Sequence, residues 1–133
     1  MEHQTYIKTR YCETDAFGHV NNVSYFIYLE QARVDFFIDT CILEKSDNWN
    51  FVVASAHCDY IGQAYVNQNL VVKTTVSRIG RSSVTLKHTV INQTNEEIIA
   101  KGEVVLVCFD FTKQKSEPLA ERVVGKLNNY VRD

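Results

Sequence analysis

Paired cysteines, a basic surplus and long apolar runs are all missing from this 133-residue chain. Its four cysteines, Cys12, Cys41, Cys58 and Cys108, stand singly without a C-x-x-C pair, which speaks against zinc or thioredoxin-type chemistry. Free thiols packed as small hydrophobes are the expectation in a reducing compartment. Cys12 has to be weighed as a nucleophile because of its neighbours, but no reactive signature surrounds it. The net charge of −2 removes the electrostatic footprint of a nucleic-acid binder. Residues 1–10 are mixed polar, so no signal peptide is expected, and no apolar run is long enough to cross a bilayer. Repeats, low-complexity tracts and linkers are absent too. These absences lead to the expectation of a soluble, cytoplasmic protein.

What is present fits one domain, with 45% hydrophobic residues to build its core. The stretch from Tyr11 to Phe37 dominates. Residues 12–22 form a polar loop holding Glu13, Asp15, Gly18, His19, Asn21 and Asn22. From Val23 the spacing becomes helical, and it predicts a helix to about Leu43. Asn21 or Asn22 suits the N-cap, since its amide oxygen can accept an orphan N–H of the first turn. The loop thus delivers carboxylates to the positive end of a helix, where developing negative charge is stabilised. Ser24, Gln31, Asp35 and Asp39 fall on one narrow stripe and apolar residues cover most of the rest, which predicts a helix buried on most sides. Glu30 and Arg33, spaced i, i+3, read as a buried ion pair holding that helix in register.

Before the loop, alternation from His3 to Tyr11 predicts a first strand. After the helix, Lys45 to Asn50 reads as a connection. Phe51 to Ile61 reads as a strand with Val52, Ala54, Ala56, Cys58 and Tyr60 on one face and Val53, Ser55, His57 and Asp59 on the other. Three further strands follow, Leu70 to Ile79, Val84 to Val90 and Ile98 to Phe109. Turns at Gly80-Arg81-Ser82 and at Asn92 to Glu96 join them into an antiparallel meander. Pro118 suits the first turn of a C-terminal helix carrying Leu119, Val123, Val124, Leu127 and Tyr130. One strand, a long helix and four strands make an α+β arrangement, a sheet curled round a helix.

The motif D-x-x-G-H-V-N-N-x-x-Y at Asp15, Gly18, His19, Val20, Asn21, Asn22 and Tyr25 is followed by Y-L-E-x-A-R at Tyr28, Leu29, Glu30, Ala32 and Arg33. This pairing resembles the hot-dog-fold acyl-CoA thioesterases related to 4-hydroxybenzoyl-CoA thioesterase, with G-R-S-S at Gly80 to Ser83 as a second landmark. The proline that such proteins often carry near Gln63 and Ala64 is absent here. The resemblance implies a hot-dog fold of about five strands in a single domain over residues 1–133. It further implies a homodimer or homotetramer with active sites at the subunit interface.

Thioester hydrolysis needs a group that attacks or activates water, and donors for the oxyanion. The resemblance makes Asp15 the nucleophile or general base, and the Asn22 backbone N–H the group that polarises the thioester carbonyl. His19 orients water, donates to the thioester or holds the loop. Read without the resemblance, Asp15 is equally an Asx-turn or cap residue. Glu13, two residues earlier, is the second carboxylate to consider, because in an extended chain it shares a face with Asp15. Arg81, Ser82 and Ser83 are the expected coenzyme A contacts, with Arg78 and Lys87 in support, since phosphates need cations and amide donors. Tyr25, with Phe26 and Tyr28, is an expected wall for an acyl group lying between helix and sheet. His57 and Asp59 are further candidates for the cleft. No metal and no bound cofactor is called for, coenzyme A being part of the substrate. Acyl carrier protein as the acyl donor, and a non-catalytic acyl-binding module, are the alternatives.

Overall fold

The computed structural model describes residues 1–43 and 49–132. Most of the expected connection at Lys45 to Asn50 lies outside the described residues. The chain forms β1 (His3–Lys8), a single tight turn at Tyr11–Glu13, and α1 (Asn22–Asp39). Then come β2 (Phe51–Tyr60), β3 (Asn69–Ile79), β4 (Ser83–Asn92), β5 (Ile98–Asp110), a two-residue β6 (Lys115–Ser116) and α2 (Glu121–Asn128). The strands make one antiparallel sheet in the order β1-β3-β4-β5-β2, with β6 added to β5. With α1 laid across one face, this is the expected hot-dog α+β fold. No described helix is long and apolar enough to cross a membrane.

Alternation explains the central strands. Val84, Leu86, His88 and Val90 of β4 are buried, as are Ala100, Val104, Leu106 and Cys108 of β5. In β2 the alternation breaks. A bulge between Val53 and Ser55 shifts the register against β5, so Val53 pairs with Leu106 and Ser55 with Val105. Phe51 and Val53 therefore share the inward face with Ala56, Cys58 and Tyr60, while Val52 joins Ser55, His57 and Asp59 outside. The expected faces hold only beyond Ala54, because the extra residue turns everything before it over.

Helix α1 ends at Asp39, earlier than the spacing predicts. Thr40 folds its hydroxyl back onto the Phe36 carbonyl at 2.6 Å, and Cys41 takes φ = 58°. Ile42 and Leu43 then drop into the core as a reversed segment, not a further helical turn. Arg122 and Lys126 of α2 donate to the carbonyls of Cys41 and Ile42, supplying cations where the helix dipole is negative. Helix α2 itself begins after Ala120 instead of at Pro118. The single sheet also sheathes α1 on one side only. Ser24, Tyr25, Tyr28, Leu29, Ala32, Phe36 and Phe37 are buried, but Val23, Phe26 and Ile27 are 62%, 37% and 50% exposed.

Buried side chains separate into two apolar clusters. One, at the start of α1, includes Tyr25, Tyr28, Leu29, Leu70, Val72 and Ile99. The other, at its end, includes Phe36, Phe37, Leu86, Leu106, Val123 and Leu127. Between them runs a polar cross-strand row, His3, Thr74, His88 and Gly102, set by the register of four strands. Within it Thr74 Oγ1 and His88 Nδ1 are hydrogen-bonded at 2.8 Å, and His3 Nε2 lies 2.7 Å from Asp39 Oδ2 on α1.

Candidate active site

The loop before α1 is built around Glu13, not Asp15. The Glu13 carboxylate is buried and accepts from the Arg10 amide at 2.8 Å, the Arg10 guanidinium at 3.0 Å and the Tyr28 hydroxyl at 2.8 Å. Its carbonyl accepts from the Asn21 amide and from Ser24 Oγ, each at 3.0 Å. Burial alone raises its pKa, but these donors together outweigh that and hold the carboxyl below its usual range. Tyr28, buried against that carboxylate, is pushed strongly up. Glu13 therefore faces inward, fully occupied, while Asp15 faces outward, and the two do not form a carboxylate pair.

Asp15 occupies a turn closed by its own backbone, its N–H donating to the His19 carbonyl at 2.8 Å. Its Oδ1 accepts the amides of Phe17 at 2.8 Å and His19 at 3.2 Å. Gly18 sits at φ = +79°, a left-handed position that suits glycine. The Asx-turn role is thus real, and it uses one carboxylate oxygen. Asn21 is the N-cap, its side chain accepting the Ser24 amide at 3.0 Å. The amides of Asn22 and Val23 donate to nothing among the described residues. Asp15, His19, Asn21, Asn22, Tyr25 and Tyr60 line a single open cleft of ≈ 320 Å³. The cleft therefore holds a carboxylate, an imidazole and, at Asn22, a free amide at a positive helix end, the parts that acyl transfer uses.

Tyr25 and Tyr60 form the floor of the cleft, ring centroids 5.5 Å apart. The Tyr25 hydroxyl is buried without a hydrogen-bond partner of ordinary geometry, and burial raises its pKa, an effect the nearby Ala64 backbone partly offsets. Tyr60 was not among the expected site residues. Its hydroxyl donates to the Asn22 carbonyl at 3.1 Å, and the inward alternation with Ala56 and Cys58 was the signal for it. His19 rests edge-on against Tyr65 at 5.0 Å and its backbone bridges to that residue.

Other candidates lie elsewhere. His57 and Asp59 pair with each other at 3.0 Å on the exposed outer face of the sheet, beside Lys101 and Glu103 and away from the cleft. Glu30 is exposed and 3.7 Å from a partly buried Arg33, so the pair is not a buried one, and partial burial lowers the Arg33 pKa. Arg81, Ser82 and Ser83 form a turn whose carbonyls accept from Leu119 and Cys108. The register puts this turn at the Ile79 end of β3, while Asp15 lies beyond the Asn69 end. Within one chain they are roughly 30 Å apart, the length of such a strand. Cys12 is exposed, and Cys108 is buried, with burial and Glu117 pushing its thiol up to about 11. Among the described residues no group of three or more His, Cys, Asp or Glu side chains is placed to hold a metal ion.

A profile of the thioesterase-like superfamily matches residues 10–127. The long-chain acyl-CoA thioesterase FadM of Escherichia coli (strain K12) is 28% identical over 137 residues, covering 97% of this chain and 99% of its own. Among solved structures, a predicted thioesterase from Bacillus stearothermophilus superposes with a TM-score of 0.90 and 31% identity, covering 100% of this chain and 98% of that one. A thioesterase from Thermus thermophilus, complexed with coenzyme A and Zn, gives 0.82 and 30% identity over 96% and 92%. On these matches the chain belongs to the thioesterase-like superfamily and is a thioester hydrolase of hot-dog fold.

Proposed function

We propose that this protein hydrolyses acyl-CoA thioesters to the free acid and coenzyme A, with Asp15 as the activating carboxylate. The observation that carries this is the shared cleft: a carboxylate with one oxygen tied by two amides and Asn22, whose backbone amide at the helix start has no acceptor among the described residues, line it together. Two routes suit the geometry. As a base, Asp15 takes a proton from water as that water attacks the carbonyl. As a nucleophile, it attacks the carbonyl itself, coenzyme A thiolate leaves, and water then cleaves the mixed anhydride. In both, negative charge develops on the carbonyl oxygen, and the helix-start amides stabilise it without reorganising. His19 at the rim orients the water or the thioester.

Coenzyme A as the thiol side is supported by the coenzyme A complex of the Thermus relative and by the similarity to FadM, a long-chain acyl-CoA thioesterase. The Arg81–Ser83 turn serves that site only in a second copy. Strand β2 is a free sheet edge. A second β2 paired to it antiparallel brings the copy's far end, with its Arg81 turn, toward the first copy's Asp15 loop. The same pairing covers Val23, Phe26 and Ile27. The active assembly in this reading is a homodimer, or a tetramer of such dimers.

The deciding experiment is Asp15→Asn, assayed by thiol release from a panel of acyl-CoA esters. We expect turnover to fall by about 10²-fold or more with the thermal midpoint unchanged, since the side chain is exposed. Near-full activity would remove Asp15 from the mechanism.

A further inference from the structure

We propose that Tyr60 is a positioning residue for the hydrolysis, its hydroxyl holding Asn22 so that the free amide of that residue meets the developing oxyanion. The proposal rests on the thioesterase reading and adds to it a residue outside the motif loop. A donor without an acceptor gets no fixing from a bond of its own, so its direction is set by what holds the atoms on either side. On the N-terminal side, the Asn21 amide donates to the Glu13 carbonyl at 3.0 Å, and the Asn21 side chain accepts the Ser24 amide at 3.0 Å. On the C-terminal side, the Asn22 carbonyl accepts the Tyr60 hydroxyl at 3.1 Å. The residue that carries the donor is thus tied from the loop on one side and from the sheet on the other. The Asn22 carbonyl also shares a peptide plane with the Val23 N–H. The Tyr60 bond therefore orients that second unpaired amide and, by polarising the peptide, strengthens it as a donor.

The anchor is itself held. Tyr60 ends β2 paired with Ala100 of β5, and the next two amides, of Ile61 and Gly62, both donate to the Ile99 carbonyl at 2.9 Å. Its ring packs against the buried Tyr25, centroids 5.5 Å apart. A strand end so fixed can set a helix start more closely than a loop side chain can. Tyr60 also lines the cleft with Asp15, His19 and Asn22, so its hold is exerted where the chemistry takes place. The contact is made within one chain, by a side chain on the inward face of β2. A second copy adding to that strand would use its backbone groups, so each copy keeps the contact whatever covers Val23, Phe26 and Ile27.

The test is Tyr60→Phe, which keeps the ring and removes one hydroxyl. kcat and KM are measured by thiol release on the full chain, with the acyl-CoA ester that the wild type cleaves fastest in a panel from butyryl to palmitoyl. We expect kcat to fall about tenfold, less than the about 10²–10³ lost with an oxyanion donor itself, and KM to stay within about twofold. That split is expected because the bond acts on a donor used in the transition state and not in ground-state binding. The thermal midpoint should not move, since the ring contact with Tyr25 is kept. Tyr60→Leu gives up ring and hydroxyl together. Its kcat per folded molecule should fall at least as far, and here the thermal midpoint should fall too. A Tyr60→Phe variant with the wild-type kcat overturns the proposal and leaves the hydrolase reading standing. So does a loss carried by KM, or one that vanishes when rates are expressed per folded molecule, because packing alone would produce either. A wild type inactive on every ester overturns both.

Discussion

The two ends of α1 are treated differently by the rest of the molecule. At its end, Phe36 and Phe37 are closed in by the sheet and by Val123 and Leu127 of α2. The last carbonyls there are met by Arg122 and Lys126. At its start a second apolar cluster lies beneath the helix, but above it Val23, Phe26 and Ile27 stand open and two amides have no acceptor among the described residues. Concentrating satisfied contacts at one end allows the other to keep unsatisfied groups, which a binding site needs. The polar row through His88 lies between them, so neither apolar cluster runs the whole length of the helix.

The largest stability effect should come from that row. His88 is held neutral by burial first, then by the charges of Arg33 and His3, and its pKa falls to about 3 from 6.5. The unfolded chain therefore binds the extra proton between those values. Its contribution is complete above about pH 6.5 and is lost as pH falls toward 3. At 1.36 kcal/mol per unit, that amounts to roughly 5 kcal/mol. Glu13, with its lowered pKa, adds acid sensitivity of the same sign. Urea unfolding at several pH values should show the loss, and His88→Gln should flatten it. A slope unchanged by that substitution would detach the row from acid stability. Next, Leu127→Ala should cost about 3 kcal/mol while turnover per folded molecule stays as it was. A drop in turnover would mean the far end is not independent of the site. Smallest is Glu13→Gln, about 2 kcal/mol by chemical denaturation, because the Arg10 pair is lost while the side chain's shape remains. Here turnover should fall too, as the Asp15 loop loosens. Unaltered turnover would show that the loop is held without that charge.

The features legible in the sequence were those set by near neighbours. Asn21 caps a helix that begins one residue later, and the Asp15 turn closes over four residues, so both appear in the motif itself. What stayed hidden depends on partners distant along the chain. Glu13 looked like a spare carboxylate because its partner Tyr28 lies fifteen residues on. The faces of β2 were misassigned before Ala54, since a bulge leaves no mark in an alternating apolar run. Tyr60 joined the site only through the sheet register that carries it to the start of α1. For Arg81 the sequence could not show that its turn lies at the opposite end of β3 from Asp15.

The strand Phe51–Tyr60 contains neither lysine nor proline, the residues that ordinarily blunt a sheet margin. Its outermost backbone groups therefore form a ready template for any extended segment of suitable pitch. Crowding during synthesis and foreign extended peptides therefore find on these ten residues a row of backbone groups open to pairing.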